Sequence, residues 1–328
     1  MKLVRTRLLP ALAAIALSLA SAAAPALAED VTYLLPAPGS LPAFAPWMVA
    51  QQRGYFKAEG LNVTFQVARG GVDVAKQVGA GNAVIGGAIG DTPILVRANG
   101  VPVKSVAVLG GRSLTQLVLN TDKGVKTVKD LKGKVVTTMA FQDTTFFALL
   151  GMLATQGMTK DDINAQAVGP VNIWKLFAAG EAAAMAAVPE WTYYAKTQAP
   201  NIKMEVIPSD TMFKSMAQAI VVSDDTIQKN PELVKKLVRA TLKGMKAVME
   251  DPAAAAADYV KAVPEHAGKE TEMTAILKGY AELVYPGQKT LGEMDEARLT
   301  ALQDFYLAQG IIQQKSNVKD LFTNQFIQ

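Results

Sequence analysis

Two alternating hydrophobic periods constrain this chain more than any other feature of its sequence. Within residues 44–63, FAPWMVAQQRGYFKAEGLNV, a helix-like stretch starts near Pro46 and stops at Gly60. Proline suits the first turn of a helix, and glycine accepts the left-handed conformation that ends one. Apolar residues then alternate with polar ones over 61–67, which is the period of a strand. Together with the apolar run 31–35, these residues predict a strand–helix–strand unit.

The same alternation continues over most of the chain. Strand-like runs at 83–89 and 103–109 belong to a first block, and a second block lies between the extended segments 114–120 and 216–225. The sequence after Pro231 is helical almost to the end. Repeated strand–helix order predicts an α/β fold with mostly parallel sheets flanked by helices, and such sheets bind ligands at the carboxyl ends of their strands.

No linker rich in glycine or serine separates the two blocks. We therefore expect two lobes, with lobe 1 formed by 29–115 plus 221–328 and lobe 2 formed by 116–220. The extended segments 114–120 and 216–225 are expected to act as the hinge between them. A cleft between two such lobes is a favoured place for a small ligand.

Residues 1–28 have the pattern of a secretory signal peptide. Lys2, Arg5 and Arg7 precede an apolar run that ends in Ala26-Leu27-Ala28. A basic start, a short apolar core and a small-residue site predict cleavage after Ala28 and export to the periplasm. The alternative, a transmembrane anchor, is less favoured because two prolines interrupt the alanine-rich run.

The amino-acid composition favours a binding protein over an enzyme. The sequence has 33 Lys+Arg and 29 Asp+Glu, and three of the basic residues lie in the signal peptide. Without the signal peptide the chain has 30 basic and 29 acidic residues, and this near-zero net charge does not suggest a basic surface that binds nucleic acid. The absence of cysteine excludes a thiol nucleophile, and a single histidine, His266, excludes a multi-histidine metal site. We expect His266 to be solvated, and the protein to be no enzyme and to need no metal or cofactor.

Four segments, in matching order and spacing over about residues 30–225, resemble one family. They are APWMVAQQRGYFKAEGLNV, GAGNAVIGGAIGDTPILVRANGVP, VKDLKGKVVTTMAFQDTTFFALLGMLATQGMTKDDI and LFAAGEAAAMAAVPEWTYYA. The family is that of the periplasmic binding proteins of ABC importers, in the branch that takes up nitrate, sulfonates, taurine and pyrimidine precursors. The resemblance implies a type II two-lobed fold with its ligand between the lobes. It also implies a monomer that delivers a small molecule to a permease and ATPase complex in the inner membrane.

The resemblance leaves the ligand and the role open. Asn82 and Ala183 stand where the family has Asp, and Pro189-Glu190-Trp191 replaces its Glu-Pro-Trp. A sensor that feeds a signalling receptor is an alternative role that needs no different motif. A pyrimidine-precursor synthase of similar fold depends on histidine and a cysteine-rich motif, so the absence of cysteine argues against catalysis here.

Loops that follow strands and open helices are the predicted ligand contacts. These loops carry Ser40, Phe44, Asp91 and Thr92 in lobe 1, and Asp143, Thr144 and Thr145 in lobe 2. Free N–H groups and the positive end of the helix dipole at such positions favour an anionic or carbonyl oxygen. The same residue types also cap helices with no ligand present, so simple capping is the alternative.

Four further residues are predicted ligand contacts, and the charges of the predicted contact loops indicate the class of ligand. The resemblance places Glu190 and Trp191 in a segment that lines the cleft, and Asn172 and Arg112 are also predicted contacts. No cluster of arginine or lysine falls in these loops, whereas a highly charged ligand is ordinarily met by bidentate arginine. Oriented N–H groups suit one negative charge or a polar heterocycle, and an aromatic wall suits a planar body. We expect either a monoanion of sulfonate or carboxylate type, which the resemblance favours, or a planar heterocycle.

Overall fold

The computed structural model describes residues 28–327. The predicted signal peptide, apart from Ala28, lies outside the described residues, so its cleavage stays a prediction. Between residues 28 and 327, no helix is long and apolar enough to cross a membrane.

The strands of the described residues fall into two five-stranded sheets. They are β1 Glu29–Leu35, β2 Leu61–Val67, β3 Ile85–Ile89, β4 Val103–Val108, β5 Gln116–Asn120, β6 Val135–Thr138, β7 Asn164–Ala167, β8 Ala184–Ala187, β9 Met204–Pro208 and β10 Gln218–Ser223. The helices are α1 Ala45–Gln52, α2 Tyr55–Ala58, α3 Gly71–Gly79, α4 Thr92–Arg97, α5 Thr144–Ala154, α6 Gly169–Ala178, α7 Pro189–Gln198, α8 Asp224–Lys229, α9 Pro231–Glu250, α10 Pro252–Ala262, α11 Glu270–Leu283, α12 Glu296–Ala308 and α13 Val318–Leu321.

Both sheets follow one plan. The first has the order β2-β1-β3-β10-β4 and the second has the order β7-β6-β8-β5-β9. In the first sheet β10 pairs antiparallel with β3 and β4, and in the second β5 pairs antiparallel with β8 and β9. The predicted two-lobed α/β fold is confirmed, and one strand in each sheet runs against the others. Lobe 1 hereafter means the first sheet with its helices, and lobe 2 the second.

The chain passes between the sheets twice, from β4 to β5 and from β9 to β10. The predicted hinge segments 114–120 and 216–225 largely coincide with β5 and β10, so the links are the residues just ahead of those strands. The first sheet also includes residues 218–220, which the predicted boundary assigned to lobe 2. The hinge and the lobe boundaries stay predictions.

A cluster of buried hydroxyl groups joins the two links. Ser113 and Thr115 lie ahead of β5, Ser209 follows β9, and Ser215 lies ahead of β10; all four are buried. The Oγ of Ser209 is 2.5 Å from both Thr115 Oγ1 and Ser215 Oγ, and Ser113 Oγ is 2.6 Å from Ser215 Oγ. Because a buried hydroxyl without a partner costs free energy, this cluster holds the two links side by side.

Helix α12 secures the same links from lobe 1. The guanidinium of Arg298 donates to the carbonyl oxygens of Gly111 at 2.6 Å and Lys214 at 3.0 Å, and to that of Ser215. Each link therefore has at least one carbonyl held by the same side chain. Arg298 therefore ties both links to lobe 1.

The C-terminal helices pack on the helices of lobe 1, and α9 lies close against α1. Helix α9 buries one apolar face, including Leu237, Val238 and Met245. A Cβ atom added to Gly244 would lie 1.9 Å from the carbonyl oxygen of Pro46 in α1. Only glycine permits the two backbones to approach so closely.

Replacing Gly244 by alanine should lower the free energy of unfolding by about 1–3 kcal/mol, because the added methyl group forces α1 and α9 apart. Urea denaturation measures the change. Gly279→Ala is the matched control, since this position lies inside α11 and a Cβ there would meet nothing within 4 Å. The control should be neutral or gain up to about 1 kcal/mol from helix propensity. Equal stabilities for the two variants would contradict the close packing.

Candidate ligand-binding cleft

A narrow cleft, with a cavity of about 40 Å³, lies between the lobes at the ends of the parallel strands. Pro36 follows β1, Ile89 ends β3, Met139 follows β6 and Val188 follows β8. The full lining is Pro36, Ala37, Leu41, Ala43, Phe44, Ala88, Ile89, Leu114, Met139, Asp143, Thr145, Val188, Glu190, Trp191 and Gln218. Both sheets therefore direct their carboxyl edges at one space, as the fold requires of a ligand site.

The antiparallel strands reach the same edge with their first residues. Gln218, which begins β10, is paired with Ile89 at the end of β3. In the second sheet Gln116, which begins β5, is paired with Ala187, and Leu114 lies just ahead of it. Sequence reasoning looked only at loops after strands, so it missed Gln218 and Leu114. The antiparallel insertion that places them in the cleft has no local sequence signature.

Several predicted contacts do line the cleft, namely Phe44, Asp143, Thr145, Glu190 and Trp191. Asp143 caps α5, because its Oδ1 accepts hydrogen bonds from the backbone N–H of Thr145 at 2.9 Å and from the Thr145 hydroxyl at 2.5 Å. The capping alternative is thus present, but at a position inside the cleft. Thr144 is the first residue of α5. Ligand contact by these residues stays a prediction.

Asp91 and Thr92 do not line the cleft. The Asp91 carboxyl is buried inside lobe 1, where its Oδ2 accepts from the Tyr306 hydroxyl of α12 at 2.5 Å. Burial raises the pKa of Asp91 above its usual value, and the Tyr306 hydrogen bond opposes that effect. Thr92 Oγ1 accepts from the backbone N–H of Ile89 at 3.2 Å. Both side chains tie the end of β3 to the rest of lobe 1.

The other three predicted contacts also lie elsewhere. Arg112 is exposed, and its guanidinium donates to the carbonyl oxygen of Glu282 at 3.2 Å. Asn172 is exposed on α6 and is not part of the lining. Ser40 borders a neighbouring groove, and its carbonyl oxygen accepts from the hydroxyl of Tyr259 at 2.5 Å.

The side chain of Glu190, in lobe 2, makes a hydrogen bond to lobe 1. It is fully buried near the start of α7, and its Oε2 accepts a hydrogen bond from the Tyr280 hydroxyl of α11. Burial raises the pKa of Glu190 from 4.5 to about 7, while the Tyr280 hydroxyl and the backbone N–H groups of Glu190 and Ala43 lower it by less. A carboxyl that can hold or release a proton near neutral pH therefore sits where the two lobes meet the cleft.

Two polar atoms of the cleft residues have no hydrogen-bond partner between residues 28 and 327. They are Oε1 of Glu190 and the indole Nε1 of Trp191, and both are buried. The backbone N–H groups of Glu190 and Ala43 lie near enough to lower the pKa of the Glu190 carboxyl, but neither makes a hydrogen bond of good geometry to Oε1. Such atoms are costly unless something else satisfies them. While Tyr280 donates to Oε2, a proton taken up by Glu190 can sit on Oε1. The pair therefore offers one fixed donor and one group that either donates or accepts.

The ionisable side chains that line the cleft are all acidic. They are Asp143 and Glu190, and no lysine or arginine is among the lining residues that the structure describes. The remainder is aliphatic, aromatic or neutral polar. A bound anion would have to enter beside two carboxyl groups with no opposing side-chain charge, which is unfavourable in a low dielectric.

The lobes touch beside the cleft at Gly70, which caps the start of α3 with φ +105°. A Cβ at this position would lie 2.9 Å from the Cα of Asp143 and 3.0 Å from the carbonyl oxygen of Gln142. A side chain at Gly70 would therefore hold the lobes apart. The contact places the backbone of lobe 1 directly against the cap of α5 in lobe 2.

His266 corrects an expectation. The sequence predicted a solvated side chain, whereas the imidazole is only 9% exposed and stacks on the Tyr259 ring at 5.5 Å. Its Nε2 is 2.7 Å from the carbonyl oxygen of Ser40, so Nε2 carries the proton and donates. The short helical turn Pro264–His266 folds the side chain back under the loop after β1. Sequence polarity around His266 could not reveal this long-range contact.

Comparison with known proteins assigns the family. Residues 41–255, more than half of the chain, match the family described as NMT1/THI5 like. The chain belongs to the NMT1/THI5-like family.

Among relatives, this NMT1/THI5-like chain is 27% identical over 296 residues to the riboflavin-binding protein RibY of Chloroflexus aurantiacus, covering 87% of the chain and 82% of RibY. It is 27% identical over 237 residues to the 4-amino-5-hydroxymethyl-2-methylpyrimidine phosphate synthase of Aspergillus parasiticus, with 68% of each covered. The alkanesulfonate-binding protein SsuA of Xanthomonas axonopodis pv. citri, solved with MOPS bound, superposes with a TM-score of 0.67 at 18% identity, covering 90% of this chain and 98% of SsuA. This last likeness shows the periplasmic binding protein fold.

Glu190 should make the stability of this NMT1/THI5-like protein depend on pH. Its pKa is about 7 when folded and ordinarily 4.5, so the folded state binds more protons between those values and stability falls as pH rises across them. The stabilisation is fully present below about pH 4.5 and amounts to roughly 3 kcal/mol. Between pH 4 and pH 8, Glu190→Gln should gain about that much stability relative to the wild type.

Denaturant unfolding at several pH values measures this difference. Asp91 is common to both proteins and cancels in the comparison. Glu205→Gln, on an exposed position of β9, controls for loss of a carboxylate. Parallel stability profiles for wild type and Glu190→Gln would show that the buried carboxyl does not titrate in this range.

Proposed function

We propose that this protein is the solute-binding component of an ABC importer and captures an uncharged, planar nitrogen heterocycle between its lobes. The observation that carries the proposal is the neighbouring pair of unsatisfied cleft atoms, Glu190 Oε1 and Trp191 Nε1. A heterocycle with an N–H or ring nitrogen beside a carbonyl oxygen supplies a complement to both atoms. Phe44 and the Trp191 ring add the aromatic walls that suit a planar body.

The acidic lining supports one of the two ligand classes that the sequence left open. A sulfonate or carboxylate would lie near Glu190 and Asp143 with no lysine or arginine from the described lining to pair with it. A neutral ring avoids this cost and hydrogen-bonds to Glu190 in either protonation state. The cleft therefore favours the heterocycle over the monoanion that the family resemblance suggested.

The relatives support the same choice. RibY is named as a riboflavin-binding protein, and the fungal relative is named as the synthase of a substituted aminopyrimidine phosphate. Both names refer to planar nitrogen heterocycles, whereas the sulfonate binder SsuA shares only 18% identity with this chain. Sequence likeness and cleft chemistry thus point to one class of ligand.

A binding role fits the cleft better than catalysis. Both ionisable side chains of the described lining already hold the structure together, Asp143 as the cap of α5 and Glu190 as the partner of Tyr280. Two links joined by hydrogen bonds suit lobes that part to admit a ligand and close over it. Together with the predicted signal peptide, this supports a periplasmic protein that delivers its ligand to a permease and ATPase; a receptor-coupled sensor is the alternative.

Calorimetry with a defined panel of solutes tests the ligand class. The panel contains 4-amino-5-hydroxymethyl-2-methylpyrimidine, riboflavin, taurine and MOPS. At least one heterocycle should bind at least 100-fold more tightly than either sulfonate, because an unpaired anion beside Glu190 and Asp143 costs several kcal/mol.

Glu190→Ala should weaken heterocycle binding by about 1–3 kcal/mol, since it removes a buried hydrogen-bonding group. Asp91→Asn, which alters a buried carboxyl of lobe 1 outside the cleft, is the control and should leave affinity unchanged. Tight binding of a sulfonate, with the heterocycles inert, would reject the proposed ligand class.

A further inference from the structure

A second space between the lobes, the outer groove, opens beside the cleft. Its volume is about 430 Å³. Its lining is Ser40, Leu41, Pro170, Val171, Trp174, Tyr194, Thr197, Gln198, Glu265, His266, Lys269 and Glu272. Lobe 2 contributes one wall from α6 and α7, and lobe 1 contributes the other.

The outer groove adjoins the cleft. Leu41 lines both spaces. Helix α7 also borders both, because Glu190 faces the cleft and Tyr194, four residues further on, faces the groove. Residues at this spacing lie on the same side of a helix, about 5–6 Å apart. A ligand held beside Glu190 therefore has the groove one helical turn away.

An aromatic pair forms the lobe 2 wall of the groove. The rings of Trp174 in α6 and Tyr194 in α7 are 5.3 Å apart and inclined by 40°. Both side chains remain partly exposed although each is large and apolar. Val171, one turn before Trp174, is 48% exposed and extends the apolar surface. This wall offers the C–H face of a ligand a surface on which to pack.

Hydrogen-bonding groups surround the aromatic wall. Thr197 and Gln198 lie on the lobe 2 side, with Glu265 and Glu272 on the lobe 1 side. His266 adds an acceptor, since its Nε2 donates to Ser40 and its buried Nδ1 has no partner within residues 28–327. Closely spaced donors and acceptors beside an aromatic face match a chain of hydroxyl groups, which both donates and accepts.

The charge of the groove argues against a phosphate. Among the lining residues Glu265 and Glu272 oppose one cation, Lys269, and the Lys175 ammonium lies 5.6 Å from the centre of the Trp174 ring, so the groove offers no excess of positive charge. A phosphorylated tail would also have to pass the carboxyl of Glu190 at the entrance from the cleft. Uncharged hydroxyl groups meet neither obstacle.

We propose that the outer groove binds an uncharged, polyhydroxylated tail attached to the heterocycle that occupies the cleft. The inference rests on the proposed function, because the ring must lie in the cleft for its tail to reach Trp174 and Tyr194. The expected ligand is then a heterocycle that carries a sugar-like or alditol chain, and not the unsubstituted ring. The groove thereby makes the protein discriminate between ligands that share one ring.

Two matched series of probes test this role by calorimetry. One is lumichrome, riboflavin and riboflavin 5′-phosphate; the other is cytosine, cytidine and cytidine 5′-monophosphate. In at least one series the hydroxylated member should bind at least tenfold more tightly than the bare ring and the phosphorylated member. Trp174→Ala should abolish that gain and leave the affinity for the bare ring unchanged.

Gln198→Ala provides a second variant at an exposed position that carries little risk to folding, and it should reduce the gain in part. Lys196→Ala is the control, because Lys196 lies on α7 but borders a different surface hollow, and it should preserve the gain. Equal affinities for bare and hydroxylated rings, or a gain that persists in Trp174→Ala, would overturn the role of the groove alone. Failure of every ring to bind would overturn the proposed function and the groove with it.

Discussion

The buried carboxyl of Glu190 is the interaction on which the arrangement of the two lobes around the cleft depends. It belongs to lobe 2, yet its hydrogen-bond partner is the Tyr280 hydroxyl of lobe 1. A fully buried carboxyl would ordinarily be paired with a cation, and here burial instead raises its pKa towards neutrality. The lobes therefore meet at a group whose remaining oxygen is left for a ligand.

The strand order explains why such a site exists at this place. Each sheet takes in one antiparallel strand that follows directly on a link between the lobes. The starts of β5 and β10 consequently lie at the same edge as the ends of their parallel neighbours. The links, the buried hydroxyl cluster and the cleft therefore lie close together. A change in the angle between the lobes acts directly on the space beside Glu190.

The sequence predicted the fold well and the site only in part. Period, glycine positions and segment order are local properties, so the two α/β blocks and most elements could be placed. Strand β9 was missed because Met204–Pro208 is a short, partly exposed strand with no clean alternation. Asp91 and Asp143 both follow strands and both open helices, yet only Asp143 lines the cleft. The difference comes from Tyr306, a residue 215 positions away in sequence that binds the Asp91 carboxyl.

The same limit applies to the residues that give the cleft its character. Glu190 and Trp191 were identified by resemblance, but nothing near them in sequence shows that Tyr280 takes one carboxylate oxygen and leaves the other unpaired. The acidic balance of the lining appears only when loops from both lobes are brought together. That balance, and not the helix starts themselves, changes the favoured ligand from an anion to a neutral ring.

A crystal structure of the complex with the tightest-binding heterocycle tests the central claim most directly. We expect the ring to lie between the lobes, with one polar atom within hydrogen-bonding distance of Glu190 Oε1 and another within that distance of Trp191 Nε1. A ring bound outside the cleft, or one that leaves both atoms without a partner, would contradict it.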